Sequence, residues 1–179
     1  YNEGVKDKGY CELYTRWLEM GTFLPMFRSH GTDTPREIWN FGEKGTMFYD
    51  AIEKFIKLRY HLMPYIYSLA GAVHFNDYTI MRSLLFDFPE DKEARKVENE
   101  FMFGPSLLIC AVTEPMYYGP ESIELHREKT WKCYLPAGTK WYDYWTNKEY
   151  EGGQYVTADA PIDRMPIFVK AGSILPVAE

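Results

Sequence analysis

The residue of this sequence whose type and position best suit binding chemistry is His30, which lies between Ser29 and Gly31. A neutral imidazole donates one hydrogen bond and accepts another, which suits a sugar hydroxyl group. The short apolar stretch at residues 23–27 predicts a buried strand that ends just before this histidine. Ligands of α/β barrels bind at the carboxyl ends of the strands, so His30 is a candidate substrate-binding residue. The alternative is a histidine that only braces its loop.

Paired carboxylates would indicate hydrolysis of a glycosidic bond, because that chemistry needs two acids across one bond. The candidates are Asp33 and Glu37 near His30, and Asp87 and Asp143 beside strand-like runs. Turn residues flank the first two, which favours a capping or ion-pair role, and no two of the four form a convincing pair. The sequence also lacks a nucleophile elbow, a phosphate loop, a dinucleotide fingerprint and a zinc or calcium motif. It therefore predicts no catalytic residue, no cofactor and no metal site.

The elements around this histidine have the order of an α/β protein. Apolar residues recur every three or four positions over residues 10–23 and predict a helix. A second helical pattern begins after Thr46, and Pro64 within it predicts a break near residues 62–63. Helix, short strand, long loop and helix are typical of a β/α unit, and this part is too short to close a barrel.

After about residue 78 the apolar pattern changes to a period of two, which predicts an antiparallel β-sandwich. The runs that carry this pattern are residues 107–112, 131–135, 141–145, 155–157 and 167–170. A charged connector at residues 89–95 precedes them. The sequence therefore predicts two parts, an incomplete α/β part at residues 1–78 and an all-β sandwich at residues 79–179.

Aromatic residues make up 17% of the chain, and they serve both in cores and as stacking walls of sugar sites. The residues that distinguish these uses are Trp131, Trp141, Tyr142, Tyr144 and Trp145. Side chains that face inward are core, whereas a flat exposed row of three favours carbohydrate binding. Strand alternation places Trp141 and Trp145 on one face and the two tyrosines on the other, so core or a domain interface is expected.

The charge and cysteine content exclude some partners. The net charge is -6, so neither a nucleic-acid backbone nor an anionic membrane is expected as a partner. No apolar run approaches the roughly 20 residues of a membrane span, so a soluble protein is expected. Cys11, Cys110 and Cys133 lie among apolar neighbours without C-x-x-C spacing, which predicts buried reduced thiols. Reduced thiols favour the cytoplasm over a periplasmic or secreted location.

Distinctive motifs are spread over nearly the whole chain. In the first part they are ELYTRW at 12–17, FRSHG at 27–31, PREIW at 35–39, LRYHLMPYIY at 58–67 and MRSL at 81–84. In the second part they are FMFGP at 101–105, LL at 107–108, YLP at 134–136, WYD at 141–143 and AGSILP at 171–176. In these motifs and in their order the chain resembles glycoside hydrolase family 31, the family of α-glucosidases and α-xylosidases.

The resemblance implies a retaining α-glycosidase that hydrolyses terminal α-linked sugars from oligosaccharides, with this chain as a C-terminal-side fragment. Residues 1–78 would be the end of the catalytic (β/α)8 TIM barrel, with its last strand near residues 26–28, and residues 79–179 the proximal β-sandwich. His30 matches the family histidine that hydrogen-bonds the sugar, and Arg28 matches a neighbouring motif arginine with a supporting role.

The resemblance also implies that both catalytic aspartates lie upstream, so the fragment alone is expected to be inactive. The rest of the barrel is its expected partner, and without it self-association is expected. An autonomous carbohydrate-binding or structural β-sandwich module remains the alternative, and the motifs do not separate α-glucosidases from α-xylosidases.

Overall fold

The described residues, 3–31 and 33–179 of a computed structural model, begin with a helical part. Its helices are α1 (Lys8–Gly21), α2 (Met47–His61) and α3 (Met63–Asn76). Helix α1 begins after Asp7, whose carboxylate accepts a hydrogen bond from the backbone nitrogen of Gly9 at 2.8 Å. Pro64 lies in the first turn of α3 and separates it from α2, as predicted, because proline lacks the N–H that an uninterrupted helix needs.

The second part is mainly antiparallel strand. The strands are β1 (Met81–Ser83), β2 (Glu100–Phe103), β3 (Leu107–Cys110), β4 (Thr130–Leu135), β5 (Lys140–Asp143), β6 (Glu149–Glu151), β7 (Gln154–Asp159) and β8 (Ile167–Lys170). The helix α4 (Leu84–Asp87) follows β1, and short 3-10 helices lie at Gly4–Lys6, Ile38–Phe41, Ala94–Lys96 and Pro120–Ser122. Each of the five predicted runs contains a strand, so the prediction of an antiparallel β-sheet part is confirmed.

The strands form two sheets, and the larger one is covered on both faces. Six strands form one sheet in the order β1-β2-β3-β8-β5-β6, and β4 pairs with β7 in a second sheet. On one face Phe103 and Leu107 pack against the helices, whereas Met102 and Leu108 face the β4–β7 sheet. Because successive side chains of a strand point to opposite faces, this double cover explains why every residue of β2 and β3 is buried.

Buried polar side chains dock α1 onto loops of the sandwich. The Glu12 carboxylate accepts hydrogen bonds from three backbone nitrogens, those of Met116, Tyr117 and Tyr118, at 2.7, 2.9 and 2.8 Å. The Arg16 guanidinium donates to the main-chain oxygens of Ala160 and Pro161 at 2.8 and 3.0 Å. These contacts are formed by buried groups and therefore fix the helical part firmly on the sandwich.

The prediction of a strand at residues 23–27 is wrong. The expected last barrel strand near residues 26–28 is therefore also absent from the described residues. Turns and bends occupy residues 22–26 instead, and residues 27–31 are irregular. The Arg59 guanidinium holds this segment by donating to three main-chain oxygens, those of Thr22, Leu24 and Pro25, at 2.7, 2.6 and 3.2 Å. A strand needs a neighbouring strand for its hydrogen bonds, and none within the described ranges pairs with this segment.

The predicted alternation over residues 141–145 holds only as far as Asp143, where β5 ends. The Asp143 carboxylate accepts hydrogen bonds from the backbone nitrogens of Trp145 and Thr146 at 2.8 and 2.9 Å, which turns the chain. Trp141 is therefore buried between the two sheets, whereas Trp145 packs on the helical side with a ring distance of 6.1 Å to Phe55.

The three cysteines are unpaired, and no described helix is longer than the 15 residues of α2. Cys11, Cys110 and Cys133 are buried and carry free thiols, as predicted. Across residues 3–31 and 33–179, no helix combines the length and the apolar character that a membrane span requires.

Candidate functional site

His30 lies on an exposed loop beside an open groove with a volume of about 440 Å³. The groove is lined by consecutive stretches of this loop and of the segment after it, namely Ser29, His30, Gly31, Thr34, Pro35, Arg36 and Glu37. Its lining is rich in hydroxyl, guanidinium, imidazole and carboxylate groups, which suits a hydroxylated ligand better than an apolar one.

Helix α1 and Arg36 both contact this loop by hydrogen bonds. The Tyr14 hydroxyl lies 3.1 Å from Ser29 Oγ and 3.3 Å from the main-chain oxygen of Arg36. The Arg36 guanidinium donates to the main-chain oxygen of His30 and, through Nε, to the Tyr10 hydroxyl at 3.1 Å. The main-chain oxygen of His30 and the side chain of Ser29 are therefore held, while the His30 side chain stays exposed.

This role of Arg36 was not predicted from the sequence. The feature of the sequence that could have indicated it is the glycine that follows His30. Gly31 has a φ of 148°, and a Cβ atom at this position would collide with the Arg36 guanidinium. Any other side chain would displace the group that holds the loop.

Arg28, the second predicted binding residue, is exposed on the same loop but does not line the groove. The residue before it is anchored, because the Arg59 guanidinium lies 5.8 Å from the centre of the Phe27 ring. The structure thus places Arg28 and His30 on one short exposed segment, with only the histidine at the groove.

Three of the four candidate carboxylates hold local structure. Glu37 accepts a hydrogen bond from Asn40 Nδ2 at 2.8 Å, a local contact between side chains, and its carboxylate does not cap the 3-10 helix that follows it. Asp87 forms an ion pair with Arg82 at 3.1 Å, and Asp143 caps the turn after β5. The fourth, Asp33, is exposed near the groove but is not part of its lining.

The acids with strongly raised pKa values lie in the core, away from this groove. Burial raises the pKa of Glu19 to about 8, although the Arg16 guanidinium at 3.1 Å opposes the shift. Burial also raises the pKa of Glu100 to about 8, against a hydrogen bond from the backbone of Tyr134. Neither acid lines the His30 groove, so their perturbed pKa values do not mark a catalytic acid there.

The five aromatic residues whose exposure decides between a core and a sugar-stacking surface are buried or half-buried. Trp141 is fully buried and donates its indole N–H to the main-chain oxygen of Pro136 at 2.9 Å. Trp145 donates to the main-chain oxygen of Met165 at 2.8 Å. Trp131, Tyr142 and Tyr144 are partly covered, so these five form no exposed row and favour the core interpretation over a carbohydrate-binding module.

A second cavity, about 210 Å³, lies between α1 and residues 111–115. Its lining is mainly apolar and includes Leu13 and Trp17, both of which are exposed. Helix α1 therefore presents an apolar outer face that the rest of the described chain leaves uncovered.

Two family models match the chain in succession. The model described as the glycosyl hydrolase family 31 TIM-barrel domain matches residues 4–69. The model described as the glycosyl hydrolase family 31 C-terminal domain matches residues 77–175, which is more than half of the chain.

Similar proteins were found among both curated sequences and solved structures. The chain is 39% identical over 177 residues to an alpha-xylosidase of Saccharolobus solfataricus, covering 99% of this chain and 22% of the relative. It is 35% identical over 170 residues to alpha-glucosidase 2 of Bacillus thermoamyloliquefaciens, covering 94% of this chain and 20% of the relative.

A crystal structure of a GH31 alpha-xylosidase from Xanthomonas citri superposes with a TM-score of 0.84 at 45% identity. The match covers 94% of this chain and 17% of that one. The chain therefore spans about a fifth of the length of the relatives that it matches.

Proposed function

We propose, because this chain belongs to glycosyl hydrolase family 31, that it forms part of a retaining α-glycosidase. The substrate class is a terminal α-linked sugar of an oligosaccharide, since the relatives are named alpha-xylosidase and alpha-glucosidase. Residues 1–78 are the proposed end of its catalytic barrel and residues 79–179 the proposed proximal β-sandwich.

The observation that carries the proposal is the exposed His30 beside a polar groove. Arg36 binds the main-chain oxygen of His30, and Tyr14 binds the side chain of Ser29. A retaining glycosidase passes through a transition state with oxocarbenium character, and hydrogen bonds to ring hydroxyls that tighten there lower the barrier. A histidine on a fixed backbone can make such bonds without first ordering its loop. His30 is the proposed sugar-binding residue, and Arg28 supports it.

The catalytic acids are proposed to come from outside this chain. A retaining mechanism needs one carboxylate that attacks the anomeric carbon and one acid that protonates the leaving oxygen. Of the four candidate carboxylates only Glu37 lines the His30 groove, so the described residues place no pair of acids there. The rest of the barrel is thus the proposed partner, and the uncovered apolar face at Leu13 and Trp17 is where it would contact α1. The 179-residue chain alone is expected to show no hydrolysis.

The test is an assay of the intact enzyme that contains this segment, on p-nitrophenyl α-glucoside and p-nitrophenyl α-xyloside. We expect His30→Ala to lower kcat/KM on the order of 100-fold or more, if two hydrogen bonds strengthen in the transition state. His126→Ala is the matched control, because His126 is exposed and lies outside the groove.

The outcomes separate the parts of the proposal. An unchanged kcat/KM in His30→Ala removes this residue from the sugar site. Absence of activity on both glycosides overturns the α-glycosidase assignment, and the ratio of the two rates decides between a glucosidase and a xylosidase.

A further inference from the structure

Three potential metal ligands from three strands meet in the closed core between the two sheets. They are Glu100 of β2, Cys110 of β3 and Cys133 of β4, and their ligand atoms all lie within 4.8 Å of one another. Glu100 and Cys110 are direct register partners, so their side chains share one face of the large sheet, and Cys133 comes from the opposite sheet. We propose that this cluster is a binding site for a thiophilic divalent cation of the zinc class.

The two oxygens of the Glu100 carboxylate have different surroundings, because one accepts a strong backbone hydrogen bond and the other has only a thiol nearby. Oε1 accepts a hydrogen bond from the backbone nitrogen of Tyr134 at 2.7 Å. Oε2 is buried and accepts no hydrogen bond of normal geometry in the described part of the chain, although the Cys110 thiol lies close enough to interact with the carboxylate. The residue is only 6% exposed. A buried acceptor without a partner is unfavourable, and a cation bound at Oε2 supplies the missing interaction. The Tyr134 N–H then holds the carboxylate in the way that outer hydrogen bonds orient metal ligands.

Two sulfur atoms and one oxygen are a ligand set for zinc or cadmium and not for magnesium or calcium, which take oxygen ligands. Zinc–sulfur bonds of about 2.3 Å place two sulfurs roughly 3.8 Å apart around a tetrahedral ion, so atoms within 4.8 Å need only small shifts. The Cys133 thiol donates a weak hydrogen bond to the main-chain oxygen of Trp131 at 3.7 Å, and it would lose this bond on binding the cation. Each ligating thiol releases its proton to solvent, as does the carboxyl group if it is protonated, and no electron is transferred.

The burial of the cluster defines the kind of site. Cys110 and Cys133 are fully buried, and Met102, Leu108 and Phe168 belong to the same apolar core. A cation in this place is closed off from solvent and substrate, so its role is to join the two sheets. Because there is no open path to the ligands, the cation binds while the sheets come together during folding.

The experiment uses the 179-residue chain, unfolded under reducing conditions and refolded with one equivalent of Zn²⁺ or Cd²⁺, then desalted. We expect one retained cation per chain and, with cadmium, a thiolate-to-metal charge-transfer absorption. Cys110→Ser and Cys133→Ser should each abolish retention, and Glu100→Gln should weaken binding at least about tenfold. Cys11→Ser is the matched control, because Cys11 is a buried free thiol outside the cluster, and it should retain the cation.

A folded wild-type chain that retains no cation overturns the proposal, and so does equal retention by the two serine variants of the cluster. Since those variants can fail to fold, X-ray absorption of the zinc-loaded wild type is the second readout. Two sulfur neighbours per zinc support the site, whereas none, or four from two chains, contradict it. None of these outcomes depends on glycosidase activity, so the two proposals fail separately.

Discussion

The sandwich and the helical part differ in how completely their apolar side chains are covered. The large sheet is covered on both faces, and its largest side chain, Trp141, is fully buried. In the helical part, Trp17, Tyr67 and Phe75 are 61%, 80% and 79% exposed. Large exposed apolar surface in a protein marks a contact site. The large sheet is thus covered by the helices on one face and by the second sheet on the other, whereas the outer side of the helices carries exposed apolar side chains.

The open face is not a sign that the helices are loosely held. Their inner side carries buried polar anchors, among them Glu12 on three backbone nitrogens and Arg59 on three main-chain oxygens. Such groups cost free energy to bury unless each bond is made, so they fix one arrangement. The difference between the two parts therefore lies in their outer faces, which fits the proposed position at the end of an incomplete barrel.

The largest effect on stability is expected in the core that the helices and the large sheet share. Phe103 is fully buried and packs edge-on against Phe23 and Tyr65, with ring distances of 5.8 and 6.1 Å. We expect Phe103→Ala to lower the free energy of unfolding by about 3–5 kcal/mol, measured by urea unfolding. The control Phe86→Ala, at a residue 67% exposed, should change it by no more than about 0.5 kcal/mol. Equal effects of the two variants would show that the helices and the sheet do not share a core.

Glu19, which is buried on the inner face of α1, should make the stability of the chain depend on pH. Burial raises the pKa of Glu19 to about 8, and the ordinary value near 4.5 applies once the chain unfolds. Between these values the folded state binds more protons than the unfolded state, so stability falls as pH rises from about 5 to 8, by at most about 1.4 kcal/mol per pH unit. Glu19→Gln removes this titration and should make the dependence less steep in urea unfolding at several pH values. Glu100, whose pKa burial also raises to about 8, keeps a slope of the same sign. A wild-type stability that rises over this range contradicts the assignment.

Changes in the loop that carries His30 should lower the catalytic efficiency of the intact enzyme. Arg36 acts on the backbone of His30 and not on the proposed substrate, so Arg36→Ala in the intact enzyme should lower kcat/KM by about tenfold. Arg36→Lys should restore part of this loss, since it keeps a donor at this place. The His30→Ala, Arg36→Ala double variant should be no worse than His30→Ala alone. Additive losses would mean that Arg36 acts independently of the histidine.

The smallest effect is expected at the outer face of α1. The chain alone should self-associate through its uncovered apolar surface, and Trp17→Lys should weaken this association by about tenfold while changing stability by no more than about 0.5 kcal/mol. Analytical ultracentrifugation at several concentrations measures the monomer and the associated form of each variant. A wild-type chain that remains monomeric throughout contradicts the expectation.

Local signals in the sequence predicted most of the elements. The helical period located α1 to α3, and Pro64 located the break between α2 and α3. The period of two located five strands, but β1, β2 and β6 were missed. Two of these are only three residues long, and β2 is buried on both faces and so has no polar alternation to detect. The strand predicted at residues 23–27 was wrong because a strand depends on a neighbour that no local pattern contains.

By itself the sequence determined the family, the order of helices and strands, and the candidate histidine, because residue type, period and motif are properties of short segments. Only the tertiary structure decided that Arg36 binds the main-chain oxygen of His30, and that an acid and two thiols meet between the sheets. It also decided that hydrogen bonds from Arg59, and not a neighbouring strand, hold the segment predicted as a strand. These outcomes depend on which surfaces pack together, and packing brings together groups that no local spacing relates.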